Sequence, residues 1–241
     1  MSSIHDKHIV SKQRVADHGE VYTPRRVVNA MLDLVRQETE RIESRFLEPA
    51  CGTGNFLAEI LERKLRVVEK RYGKSQPEYE RNAVLAVSSL YGIDILEDNV
   101  GQCRQRLFGI FDLNYLRLYS SETKDQCRES VRFILDRNII HGDALSLKTV
   151  GDKPRHIVFS EWSPVNGSRL KRRDFTFEAL IACGAEPKQL SIFGEPEQLT
   201  FFSDLGEKCF IPVLVKEYPP VHFLSIGEHK ESSADDADGR R

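Results

Sequence analysis

The stretch Phe46-Leu47-Glu48-Pro49-Ala50-Cys51-Gly52-Thr53-Gly54-Asn55-Phe56 decides how the chain is read. Arg45 to Glu48 suits a short strand stopped by Pro49. A turn holding two glycines follows, and Phe56, Leu57, Ile60, Leu61, Leu65 and Val68 then recur at helical spacing. A strand, a glycine turn and a helix start form a generic cradle for a nucleotide-like ligand. Glycine lets the backbone approach closely, and the first turn of a helix presents free N–H groups. A dinucleotide fingerprint would place a third glycine at position 57, where Leu57 stands; the acid Glu48 at the strand end is a different signal.

Working outward, Thr23 can cap a helix and Pro24 suits its first position, with Val27, Val28, Met31, Leu32 and Val35 on one face; the spacing predicts a helix from about Pro24 to Glu43. Downstream the pattern predicts a helix over Pro77 to Leu90, a strand at Tyr91 to Asp94, and helices over Leu96 to Leu116 and Lys124 to Arg137. A third strand spans Asn138 to His141 before Gly142-Asp143, and a fourth runs from His156 to Ser160. Strands alternating with helices imply βαβ units. The expected fold is α/β, a mostly parallel sheet with helices on both faces. Beyond Ser160 the alternation weakens: a helix near Asp174 to Cys183 and late strands at Cys209 to Val215 and Val221 to Ile226 would suit an antiparallel edge. The chain divides into a polar arm (1–18), a ligand-binding core (19–160), a reduced C-terminal region (161–227) and a tail without apolar anchors (228–241), expected to be disordered.

Composition sets the bounds. The chain has 241 residues, 40% hydrophobic and 30% charged, which excludes collagenous or wholly disordered classes and leaves room for about one decorated α/β domain. Its net charge of −2 argues against a strongly basic nucleic-acid binder, and the acidic excess lies in the last 14 residues. Five widely spaced cysteines without a C-x-x-C pair, and seven histidines without an H-E-x-x-H pattern, give no support for a metal site. The N-terminal residues lack the apolar core of a secretory signal, and no stretch reaches the length of a membrane span, so a cytoplasmic protein with no membrane partner is expected.

Taken together, the motifs resemble the S-adenosylmethionine-dependent DNA methyltransferases that modify adenine at N6, most of all the modification subunits of type I restriction systems and their single-chain relatives. Glu48 to Phe56 is similar to that family's first motif. The resemblance implies the Rossmann-like methyltransferase fold, with Ala50, Gly52, Gly54, Asn55 and Phe56 in the cofactor turn and Glu48 orienting the cofactor ammonium. Gly19-Glu20-Val21-Tyr22-Thr23-Pro24 resembles the preceding motif, in which Thr-Pro at a helix start meets the cofactor carboxylate, a favourable place for an anion. Gly92-Ile93-Asp94-Ile95 resembles the second motif, with Asp94 accepting from the ribose hydroxyls and Ile95 walling the adenine. Gly142-Asp143-Ala144-Leu145 resembles the third, with Asp143 accepting from the exocyclic amine. The implied cofactor is S-adenosylmethionine and the implied partner is DNA.

The family's fourth motif, Asn/Asp/Ser-Pro-Pro and an aromatic, is not reproduced. At the end of the fourth strand stands Ser160-Glu161-Trp162-Ser163-Pro164-Val165, and the later Pro219-Pro220 pair lacks the leading amide. Three readings stay open: an unorthodox site using Ser160, Glu161, Trp162, Ser163 and Pro164 with Trp162 stacking on a flipped base; a split enzyme completed by a catalytic or specificity partner subunit; or a cofactor-binding module without turnover. Core packing is the alternative role for Trp162. The basic run Arg169, Lys171, Arg172 and Arg173 reads as a loop offering phosphate contacts, or as a solvated surface.

Overall fold

The computed structural model of the chain describes residues 23–182, 200–202, 208–210 and 214–228. The polar arm, Tyr22 of the first motif and the 229–241 tail lie outside the described residues. So does most of the 183–213 stretch.

The chain enters through α1 (Arg25–Asp33) and a single turn, α2 (Arg36–Thr39), where one helix over 24–43 was expected. The break falls at Leu34 and Val35, whose N–H groups bond three residues back, and Val35 leaves the helical region. Then follow β1 (Phe46–Glu48), α3 (Asn55–Tyr72), α4 (Gln76–Ser88), β2 (Leu90–Asp94), α5 (Glu97–Tyr119), α6 (Asp125–Asn138) and β3 (Ile139–Asp143). Across this span the expected and observed elements agree to within a few residues, because each helix is long and amphipathic and each strand is a short apolar run. β1, β2 and β3 pair in parallel, and a two-residue strand β4 (Lys148–Thr149) adds antiparallel to β3. The protein is mixed α/β.

Period-two alternation sorts β2 between two layers. Leu90 and Gly92 face the helices, with the place of a Gly92 Cβ 3.1 Å from Cys51 and Leu57, while Tyr91 and Ile93 look to the other side. That second face is where the chain departs from expectation. Among the described residues it is covered, in place of a full helical layer, by Phe159 of β5 (Val158–Pro164) and by Phe177, the first residue of the short helix α7 (Phe177–Ala182). Tyr91 and Phe177 both meet the Phe159 ring edge-on.

β5 does not join the parallel sheet. It pairs with β6 (Arg169–Thr176) as an antiparallel hairpin, and β9 (Leu214–Glu217) and β10 (Val221–His222) flank β6. The turn is Asn166-Gly167, with Gly167 at φ +57° and Val165 N–H bonded to Arg169 O at 3.1 Å. The basic run therefore lies on a strand and not in a loop. A two-stranded pair, β7 (Thr200–Phe202) with β8 (Lys208–Phe210), completes the described strands. The closing 3₁₀ segment Phe223–Glu228 packs on α6 through buried Phe223 and Ile226.

Candidate cofactor site

Glu48, Asp94 and Asp143 end β1, β2 and β3, so parallel pairing brings three carboxylates to one end of the sheet, with strands about 4.8 Å apart. The glycine turn closes the near end. Gly52 (φ +52°) and Gly54 (φ +82°) hold left-handed conformations that side chains resist, and Gly54 caps α3. Two hydrogen bonds tie the turn to β2, Cys51 N–H donating to Ile93 O at 2.8 Å and Gly52 N–H to Asp94 Oδ2 at 2.8 Å, and a third closes it on itself, Gly54 N–H to Cys51 O at 2.8 Å. A Cβ at Gly52 would meet nothing within 4 Å, so this part of the turn faces open space; one at Gly54 would meet Cys103 Sγ at 2.6 Å.

Asp94 is buried and does two jobs. While Oδ2 holds the turn, Oδ1 accepts the Leu96 N–H at 2.9 Å and the Asn99 amide at 3.2 Å, which ties the strand end to the first turn of α5. A carboxylate has about four acceptor sites, so one is left for a ligand hydroxyl. Ile95 is half exposed beside it, and its carbonyl meets His141 Nε2 at 3.0 Å. Asp143 lies at the rim: the Ser146 hydroxyl and the Leu145 and Ser146 N–H groups hold its carboxyl below the usual range, so it stands as an anionic acceptor next to Ala144. Burial pushes the Glu48 carboxyl up, opposed by the Ala50 N–H at 3.4 Å. Cys51 is a packing residue: its hydrogen bond with the Cys103 thiol, together with burial, drives its pKa upward and keeps it un-ionised. Asn55 opens α3 and accepts from Arg106 Nη1 at 2.5 Å, and half-buried Phe56 packs on the core. Acceptors at three strand ends, a glycine cradle and an apolar wall fit an adenosyl group carrying an amino acid, which is what S-adenosylmethionine offers. Among the described residues no group of His, Cys, Asp and Glu could hold a metal ion, and no helix is long and apolar enough to cross a membrane.

Residues 9–100 match the N-6 DNA Methylase family. The resemblance read from the sequence stands, and the matched stretch carries the Gly52–Gly54 turn and Asp94. The Type I restriction enzyme MjaVII methylase subunit of Methanocaldococcus jannaschii is 37% identical over 83 residues, a stretch covering 32% of this chain and 13% of that protein. The chain thus spans a small part of the methylase relative it matches. No solved structure gives a significant match. Asp143, β5 and the basic strand lie beyond the methylase match.

The catalytic candidates read from the sequence do not gather at this site. β5 starts beside Leu147, whose carbonyl accepts the Ile157 N–H at 2.9 Å just past the C-terminal end of β3. Midway along β5, Glu161 pairs with Arg45, which precedes β1. Tyr91, early in β2, donates to Ser160 O at 3.2 Å. β5 therefore runs against β1–β3 and delivers Ser160 to Pro164 to the end of the sheet opposite Glu48, Asp94 and Asp143. Each of these residues is also engaged there. Ser160 Oγ bonds Asp174 Oδ1 at 2.7 Å, Glu161 is held by Arg45 and by Arg173 at 2.8 Å, Ser163 Oγ bonds Glu161 at 3.4 Å, and Pro164 closes the strand. Trp162 is 5% exposed and packs edge-on against Phe133 of α6, so it is core and not a stacking platform.

The basic run changes meaning likewise. Arg172 is buried in a two-pronged ion pair with Asp174 at 2.8 and 2.7 Å, Lys171 pairs with Glu217 at 2.6 Å, and Arg173 sits opposite Glu161; Arg169 alone of the four is exposed. The sequence reading missed Asn99 and Arg106, polar side chains whose partners arrive from distant chain segments or across a strand–helix junction.

Proposed function

We propose that the chain is the cofactor-binding part of an S-adenosylmethionine-dependent DNA methyltransferase acting on adenine N6 within a restriction-modification system, built on a Rossmann-like methyltransferase core. A cytoplasmic setting follows from a DNA substrate. The observation that carries this reading is the glycine turn held open-faced by Asp94, inside the stretch that matches the methylase family. The bound cofactor would supply an electrophilic methyl group. Glu48 would accept from its ammonium, the backbone of Gly52 and Gly54 would pass under its amino-acid end, Asp94 would take a ribose hydroxyl against the Ile95 wall, and Asp143 would accept from the adenine amine. Thr23 and Pro24, at the start of α1, would face its carboxylate.

The placement of Ser160 to Pro164 at the far end of the sheet favours the partner-dependent form of this reading, in which another polypeptide presents the target base and supplies sequence specificity. Amine methylation depends on aligning the amine with the methyl group, so this part cannot be dispensed with. Calorimetry with S-adenosylmethionine tests the first step: saturable binding that Gly52→Asp abolishes is expected, and no binding at millimolar cofactor overturns it. Transfer of labelled methyl to unmethylated bacterial DNA, with the chain alone and with the products of neighbouring genes, tests the second. Transfer is expected only with the added partner; transfer by the chain alone removes the partner from the scheme.

A further inference from the structure

α1 has apolar residues on two sides. Val28 and Leu32 are buried against the core, yet Val27 and Met31 stay exposed, as do Leu34 and Val35 just past the helix end, Leu34 at 87%. Apolar patterning therefore does not decide which side of α1 packs inward. What distinguishes the buried side is a polar lattice shared with α3. Arg25 Nε meets Glu59 Oε1 at 2.5 Å and its Nη2 meets Glu62 Oε2 at 2.8 Å; Asn29 Nδ2 donates to Glu59 Oε2 at 2.9 Å. Arg63 Nη2 then donates to Asn29 Oδ1 at 2.9 Å and to Asp33 Oδ1 at 2.8 Å, and Arg63 Nη1 reaches Thr39 Oγ1 at 3.4 Å. Glu59 is 3% exposed and Arg63 8%, so each charge is out of water and answered by partners. Removing one partner strands the other, which makes such a lattice selective for one register.

The pairing also runs in step. Arg25 goes with Glu59 and Asp33 with Arg63, so α1 and α3 run in the same sense and their N-terminal ends open on the same side. Glu59 lies one turn beyond the glycine turn, and Arg25 directly follows Thr23-Pro24. We propose that Arg25, Asn29 and Glu59 are positioning residues: their buried lattice seats the Thr23-Pro24 start of α1 beside the Gly52–Gly54 turn and so builds the end of the site that receives the cofactor carboxylate. The proposal rests on the cofactor reading above and adds a device outside the binding motifs.

The test compares two ligands by calorimetry, S-adenosylmethionine and 5′-methylthioadenosine, which lacks the amino-acid end. In Glu59→Gln, S-adenosylmethionine affinity is expected to fall by about tenfold while methylthioadenosine affinity stays within about twofold of the unaltered chain. Arg25→Met, at a side chain that is itself 61% exposed, is expected to give the same selective loss, and Arg25→Lys to restore most of it. Equal loss of both ligands, or loss of neither, overturns the positioning role; should Glu59→Gln fail to fold, the Arg25 pair decides. An unaltered chain that binds methylthioadenosine but not S-adenosylmethionine, or neither, overturns the cofactor reading itself and the positioning role with it.

Discussion

The Gly52 N–H donates to Asp94 Oδ2 at 2.8 Å, joining the most mobile kind of residue in the turn to the most constrained acid of the site across 42 positions of sequence. Asp94→Ala strands three donors, Gly52 N–H, Leu96 N–H and the Asn99 amide, and is expected to cost about 1–3 kcal/mol of stability in denaturant titrations and to abolish cofactor binding. Asp94→Asn is expected to be nearly as damaging to the turn. If its oxygen keeps Leu96 and Asn99, its amide turns a donor toward the Gly52 N–H, itself a donor. Wild-type stability in Asp94→Asn would show that the carboxylate does not hold the turn.

Gly54 combines φ +82° with a Cys103 Sγ only 2.6 Å from where a Cβ would sit. Gly54→Ala is expected to lower stability by more than the roughly 1–2 kcal/mol of left-handed strain, because the sulfur must also move. Adding Cys103→Ala should recover the steric part and leave the strain. Gly52→Ala, with open space at its Cβ, should show the strain alone. Thermal melts of the three variants give the comparison, and equal shifts for Gly52→Ala and Gly54→Ala would contradict it.

Much of this was legible beforehand because it is local. Pro49 ends β1, the glycines at 52 and 54 demand positive φ, and the helices from α3 to α6 carry long apolar periods. The packed side of α1 was not legible: the sequence offers apolar residues on two faces, and the choice is made by Glu59 and Arg63, 30 and 34 positions from Asn29. The β5–β6 hairpin was hidden for a similar reason. Lys171, Arg172 and Arg173 look like a solvated run until Glu217, Asp174 and Glu161 are brought beside them, although Asn166-Gly167 between two extended stretches is a hairpin signal that could have been read. The end of the sheet reached by Ser160 to Pro164 depends on the direction of β5, which no local pattern encodes.

Lys64 is fully buried beneath the segment that leads into β1. Its ammonium donates to Ile42 O at 3.1 Å, to Ser44 O, and to Ser89 Oγ at 2.5 Å, and burial lowers its pKa to about 7. Below about pH 7 both folded and unfolded chains hold the proton and the burial penalty is complete. As pH rises toward the unfolded value near 10.5, the folded chain has already released the proton, so this residue makes stability rise with pH. Buried Tyr79, Tyr115 and Cys127, with raised pKa values, act in the opposite sense over the upper part of that range. The expected observable is therefore a difference: between pH 7.5 and 9.5 the wild type should gain about 2 kcal/mol relative to Lys64→Met. A pH-independent difference would mean that Lys64 keeps its charge in the fold.

Arg172 and Arg169 separate structure from surface within one basic strand. Arg172→Ala leaves Asp174 buried with Ser160 and Tyr218 as its remaining partners, and a loss of about 3–5 kcal/mol is expected; Arg169→Ala should change stability by no more than about 0.5 kcal/mol. Should DNA binding be observed, only the Arg169 variant can weaken it without a matching loss of fold. A destabilising Arg169→Ala would contradict this division.

Trp162 is the one tryptophan in the chain, so fluorescence reports its surroundings directly. It lies 5% exposed between Phe133, whose ring it meets edge-on at 6.2 Å between centroids, and the Arg172 guanidinium, 5.8 Å from its ring. Emission is therefore expected at short wavelength, with little quenching by acrylamide and a red shift on unfolding. A base stacked on this indole would quench it, so the two roles give opposite results on adding DNA: a core tryptophan leaves the emission unchanged at saturating DNA, whereas a stacking platform dims it. Phe133→Ala provides the structural control. Removing the edge-on partner should open a cavity costing about 3–5 kcal/mol and red-shift the emission without any DNA present. Solvent-exposed emission in the unaltered protein would place Trp162 outside the core and return it to the list of candidates for base contact.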